Sequence, residues 1–196
     1  MSNALRAHIP ATYDDLRAVP EPYVAEIIGG ELIVSPRPSY RHGLGATVVA
    51  GSLMATYGLR RRGGGPGGWW ILIEPEIHLG DDILVPDLAG WRRERMPALP
   101  EGVYTTLAPD WVCEVLSPSS QGRDRVEKMG AYGQAEVQWY WLVDPLARVL
   151  EVYHLQQSYW VRVGAWQGDQ LVRAQPFEGV ELDLAELWWE DPPAAP

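Results

Sequence analysis

The run Trp111-Val112-Cys113-Glu114-Val115-Leu116, closed in by Pro109 on one side and Ser117-Pro118 on the other, is apolar at every position but one. A continuous apolar stretch of this length between turn residues reads as a strand buried on both faces. Such a strand belongs in the middle of a sheet, and that sheet needs covering layers on both sides. Trp139-Tyr140-Trp141-Leu142-Val143, ended by the turn Asp144-Pro145, is a second strand of this kind.

The rest of the chain supplies the layers. Thr12 followed three residues later by Asp15 resembles a capping box and predicts a lead-in helix over 12–19, ended by Pro20. Residues 23–28 and 31–34 are β-rich and are joined by Gly29-Gly30, a two-residue turn suited to a hairpin. Leu44, Val48, Gly51 and Met54 recur at helical spacing and predict one long helix from Ser39 to about Leu59, before a glycine-rich loop over 60–68. Strands are expected over 69–74, over 76–79 and through the run 83–91, with Pro86 at its middle, and a surface loop over 94–109. A second helix over 123–134, a hairpin of 149–154 with 159–163, a closing helix over 183–188 and a frayed tail 191–196 complete the reading. This order describes an α+β or α/β domain with a mixed central β-sheet flanked by helices; two central helices argue against a sandwich. At 196 residues the chain is expected to be a single domain, 1–196.

A formal charge of −10 argues against a protein that coats nucleic acid by bulk attraction, so any phosphate chemistry needs a local site. Apolar runs such as Ile71–Ile73 fall far short of the roughly 20 residues of a membrane span, so no membrane partner is expected. The single Cys113 allows neither an intrachain disulfide nor CxxC zinc chemistry. With no basic start and apolar run in the first thirty residues, the expected location is cytoplasmic. Ten Trp and nine Tyr stand against one Phe. Aromatics among Trp139, Tyr140, Trp141, Tyr153, Tyr159 and Trp160 exceed the needs of one small core, which predicts a homodimer contact.

Two acids sit in apolar surroundings: Asp87 in Val85-Pro86-Asp87-Leu88-Ala89, and Glu114 in the run above. Burying a lone carboxylate costs several kcal/mol unless it is paired, protonated or metal-bound, so two of them invite a shared reason. The alternative is that each lies at an edge and points to water by strand alternation. Two carboxylates on neighbouring strands, with a lysine nearby, form a hard oxygen site for a divalent cation over a phosphodiester. Leu116 holds the place two residues after Glu114 where an acid-x-lysine motif would put its lysine. The one lysine among 16 basic residues is Lys128, on the following helix. Lysine differs from arginine in being able to lose its proton and in presenting a compact point charge; chance placement on a solvated helix face is the competing reading.

Glu31 after Gly-Gly, Ser35-Pro36, Arg41-His42 at a helix start, Val85-Pro86-Asp87, and Cys113 through Ser119 form an ordered set with Arg123-Asp124-Arg125, Lys128, Tyr132 and Trp139 through Pro145. Together, over about 23–188, they resemble the Uma-type putative restriction endonuclease family of the PD-(D/E)xK nuclease superfamily. The resemblance implies a restriction-endonuclease-like core, Asp87 and Glu114 as metal ligands with the backbone carbonyl of Val115, and a catalytic lysine moved to the helix as Lys128. Gln134-Ala135-Glu136-Val137-Gln138 departs from the Gly-Val-Pro-Glu stretch of the family at the helix-to-strand turn.

Glu26 and Glu31 straddle the Gly-Gly turn, and either is a candidate third acid or a solvated hairpin residue. His42 is a candidate phosphate contact or a structural histidine. Asp124 fits a helix first turn. Arg60-Arg61-Arg62 and Arg92, Arg93 and Arg95 are the basic clusters available to a phosphate backbone. The expected function is a Mg2+-dependent endonuclease acting on DNA, with Mn2+ as substitute, in which Lys128 orients or deprotonates the attacking water. The alternative is a catalytically inactive homodimeric interaction domain that retains the fold.

Overall fold

A computed structural model of the chain describes residues 9–58 and 67–188. In chain order the elements are α1 (Tyr13–Arg17), β1 (Val24–Ile28), β2 (Glu31–Ser35), α2 (Tyr40–Leu53), β3 (Trp69–Ile73), β4 (Glu76–Leu79), β5 (Asp82–Leu84), β6 (Leu88–Arg92), β7 (Tyr104–Thr105) and β8 (Trp111–Val115). Then follow α3 (121–134), β9 (Trp139–Asp144), β10 (Val149–Gln156), β11 (Tyr159–Gln167), β12 (Leu171–Val172), β13 (Leu182–Asp183) and a 3₁₀ turn, Leu184–Leu187. The α+β class is as expected, and α1 carries the capping box between Thr12 and Asp15. Gly29 and Gly30, at φ 60° and 81°, form the β1–β2 turn with both central residues in the left-handed region that glycine adopts without strain.

The strands form a mixed six-stranded sheet, β11-β10-β9-β8-β6-β3, a five-stranded sheet, β2-β1-β5-β4-β7, and a two-stranded ribbon of β12 and β13. The strands expected through the run 83–91 are two, β5 and β6, in different sheets. Pro86 has no N–H for a ladder, and the N–H groups beside it, of Val85 and Asp87, donate to the Glu26 and Glu114 carboxylates instead. The loop over 94–109 contains β7, which pairs in parallel with β4. The glycine-rich loop expected over 60–68, with Arg60-Arg61-Arg62, and the tail 191–196 lie outside the described residues, save for Gly67 and Gly68.

β8 lies parallel to β9 and antiparallel to β6 at the centre of the six-stranded sheet. Trp111, Cys113 and Val115 face one core layer, with Val49 and Leu53 of α2 and Phe177 of the C-terminal segment. Val112 and Leu116 face the other, with Tyr132 of α3 and Ile77 and Leu84 of the five-stranded sheet. Strand alternation thus puts Glu114 on the α3 side. Tyr140 and Trp141, expected at a dimer contact, are fully buried in these two layers, where Tyr140 donates to the Asp124 carbonyl and Trp141 to that of Gln175.

Two helices contain a π-helical turn. α2 runs on as one over Met54–Gly58, and α3 is α-helical over Gln121–Arg123, π-helical over Asp124–Lys128 and α-helical again over Met129–Gln134. The family's Gly-Val-Pro-Glu stretch is replaced without loss of the turn. Glu136 takes the left-handed conformation, φ 59°, its N–H donating to Gly133 and that of Val137 to Tyr132, the pattern that closes a helix C-terminus.

Candidate active site

Five segments converge on a cleft of about 470 Å³ lined by Glu26 of β1, His42 of α2, Asp87 just before β6, Glu114 of β8 and Asp124 and Lys128 of α3. A larger concavity of about 1030 Å³ around Tyr13, Asp82 and Gln134 lacks Asp87, Glu114 and Lys128. The chemistry-bearing groups are in the smaller one.

Asp87 and Glu114 are bound through each other's strands. Asp87 Oδ2 accepts the Val115 N–H at 2.7 Å, and the Asp87 N–H makes a long contact of 3.4 Å to Glu114 Oε2. The break at Pro86 makes this possible, because it turns Asp87 out of the ladder and toward β8. Glu114 Oε1 accepts from the Tyr132 hydroxyl at 2.9 Å and from Lys128 Nζ at 2.7 Å. Lys128 Nζ also lies 3.0 Å from Glu26 Oε1, which takes the Val85 N–H at 2.9 Å. Among the described residues Lys128 is thus inside the cleft and 4% exposed, not on a solvated face.

His42, placed by the Ser39 N-cap of α2, sets Nε2 3.1 Å from Asp87 Oδ2. Of the accessory candidates Glu26 and His42 therefore reach the site. Glu31 does not line the cleft; it is exposed beside the hairpin turn, opposite Ile28. Asp124, read from the sequence as fitting a helix first turn, also lines the cleft: it is 4% exposed and stands in the π turn that ends at Lys128. Its signal was its spacing of four residues from the lone lysine, which puts both on one helix face.

Burial pushes the Glu114 carboxyl well above the usual range; Lys128 opposes this, while Asp87, Asp124 and Glu26 reinforce it. Burial likewise raises Asp124, against Lys128 and the Ser120 hydroxyl. For Lys128 burial acts downward but is outweighed by Glu114, Glu26, Asp124 and Asp87, so its ammonium is held charged. Of the two roles expected of Lys128, orienting the attacking water or deprotonating it, a charged ammonium suits the first. His42 is raised because Asp87 and the Val115 backbone outweigh its burial.

The residues suit a hard divalent cation. Four carboxylates crowd one ammonium, and the outer oxygens of Asp87 and Glu114 are lightly bonded. No group of three or more His, Cys, Asp and Glu side chains among the described residues is placed to hold a metal ion, so a cation here would draw on at most two such side chains, with backbone carbonyls and water completing its shell.

The expected basic clusters are otherwise engaged where they are described. Arg92 lies 4.8 Å from the centroid of the Trp69 ring and Arg93 3.7 Å from that of Trp70, and Arg95 pairs with Asp110 at 2.9 Å. No described helix is long and apolar enough to cross a membrane.

No curated protein matches the chain. A crystal structure of a putative nuclease belonging to DUF820 from Anabaena variabilis ATCC 29413 is similar in fold, with a TM-score of 0.73 and 24% identity over 91% of this chain and 98% of that one. Residues 10–185 match the family described as "Uma2: Putative restriction endonuclease". With nearly the whole chain matched, this protein belongs to the Uma2 family of putative restriction endonucleases.

Proposed function

We propose that the protein is a divalent-metal-dependent endonuclease that hydrolyses phosphodiester bonds of DNA at the Asp87–Glu114–Lys128 cleft. The observation that carries this reading is the buried Lys128 ammonium, 2.7 Å from Glu114 and 3.0 Å from Glu26, in the cleft that Asp87 lines. A charged group so enclosed by acids is costly as structure alone, since a buried ion pair often contributes no net stability. Membership of a nuclease family supports phosphodiester hydrolysis, and DNA is the substrate this reading adds.

Asp87, Glu114 and the Val115 carbonyl would hold Mg2+, or Mn2+ in its place. When bound, the ion would supply a Lewis acid for the phosphoryl oxygens and lower the pKa of an attacking water. Lys128 offsets negative charge that builds on the phosphodiester in the transition state, and Glu26 and Tyr132 keep Lys128 and Glu114 in place. Arg123, which donates to Ser35 at 3.2 Å, and Arg37 stand among the cleft residues as phosphate contacts. A reducing cytoplasm suits the buried Cys113 thiol.

The outer strand β11 exposes Tyr159, Val161 and Val163, a surface for a second copy of the chain. Sedimentation at micromolar concentration checks this: a dimer is expected, and a monomer rejects it.

Plasmid DNA incubated with purified protein tests the main reading. Nicking with Mg2+, abolished by chelator and by Asp87→Asn or Glu114→Gln, is expected. If wild type neither cleaves nor binds metal, the reading fails in favour of an interaction domain that retains the fold.

A further inference from the structure

The Lys128 ammonium has three oxygen partners: Glu114 Oε1 at 2.7 Å, Glu26 Oε1 at 3.0 Å and the Val85 carbonyl at 3.4 Å. The two carboxylate oxygens are further committed, Glu114 Oε1 to the Tyr132 hydroxyl and Glu26 Oε1 to the Val85 N–H. Nζ is thus coordinated by oxygens much as a small hard cation is, and the inner half of the acidic cleft already holds a positive charge. The outer half differs. Glu114 Oε2 receives only the long contact from the Asp87 N–H, and Asp87 Oδ1 makes no hydrogen bond among the described residues.

We infer that Lys128 is a resident cation filling the place a second divalent ion would need, so that the cleft takes one divalent ion, on its Asp87 side. Glu26 is then a positioning residue that acts through Lys128 and is not a metal ligand. This rests on the metal-dependent reading above and adds the number of ions and the division of labour among the acids. The inner place has room for one cation only: Glu26 and Glu114 converge on Nζ, and a divalent ion there would meet the ammonium at contact distance and be repelled.

Counting bound Mn2+ by equilibrium dialysis and electron paramagnetic resonance tests this on the full chain. One ion per chain is expected for wild type; two overturn the inference and leave the nuclease reading standing, whereas none overturns both. Lys128→Met empties the inner place and is expected to bind two ions, falling back to one in the double variant Lys128→Met, Glu26→Gln. A single ion in Lys128→Met overturns the inference. Should that variant not fold, the wild-type count decides alone, one ion per chain supporting the inference and two overturning it.

Discussion

Asp87 Oδ2 accepts the backbone N–H of Val115 at 2.7 Å, so the acid before one strand is fastened to the residue after the acid of the next. Replacing Asp87 by Asn keeps an oxygen for that N–H, whereas Ala leaves a buried donor unmet. Asp87→Asn is expected to stay within about 1 kcal/mol of wild-type stability and Asp87→Ala to lose about 1–3 kcal/mol, with neither cleaving DNA. Urea denaturation beside a nicking assay checks both; equal stability losses would mean the hydrogen bond contributes nothing.

Lys128 is the counter-charge of two buried carboxylates. Lys128→Met, which breaks the pairs, is expected to cost about 3–5 kcal/mol at neutral pH. The loss should shrink in acid, where the abandoned Glu114 takes up a proton. Lys128→Arg keeps the charge but brings a planar fork to a place built for a point donor, and a loss of at least about tenfold in cleavage rate is expected. Full activity in Lys128→Arg would show that any cation serves.

Arg92, Arg93 and Arg95 do not line the cleft, and the described arginines that do are Arg37 and Arg123. Each neutralised phosphate contributes about 0.9 to the slope of log affinity against log salt. A shallow slope, of about −2, is therefore expected for DNA binding, read by fluorescence anisotropy across a salt series. A slope several times steeper would point to a basic surface elsewhere.

Glu151 of β10 lies between Arg125, Arg162 and Tyr153. Burial acts to raise its carboxyl, but the hydrogen bonds of Arg125, Tyr153 and Arg162 outweigh it and hold it below the ordinary value of 4.5. Its ionised form is thus favoured in the folded state. The stability it contributes is complete above pH 4.5 and is lost as pH falls through the lower folded value. Glu151→Gln should flatten the acid limb of the stability curve and destabilise the protein at pH 7, as measured by urea midpoints from pH 3 to 7; an unchanged acid limb would contradict this.

Glu136 holds a left-handed backbone at an exposed turn. Glu136→Gly removes a Cβ penalty of about 1–2 kcal/mol, less the added flexibility of the unfolded chain, and should stabilise by about 0.5–1 kcal/mol. Differential scanning calorimetry reads this as a raised Tm, and a lowered one would refute it.

The sequence alone determined what is written in local pattern. The apolar runs around Glu114 and Trp141 mark central strands, Thr12-x-x-Asp15 a helix start and Gly29-Gly30 a hairpin, because propensity and periodicity act over a few residues. That Asp87, Glu114 and Lys128 stand out from their surroundings was also legible, since acids in apolar runs and a lone lysine are exceptions to composition, and the three line one cleft. Only the tertiary structure decided that Glu26 joins them and Glu31 does not. The two differ by five residues on one hairpin, and which end meets Lys128 depends on how two sheets pack. The same holds for Asp124, which is buried in a π turn whose Asp124 carbonyl takes the Tyr140 hydroxyl of β9, and for Tyr140 and Trp141, which fill core layers formed by segments distant in sequence. Burial and charge coupling are sums over non-local neighbours, and those neighbours exist only once the chain has folded.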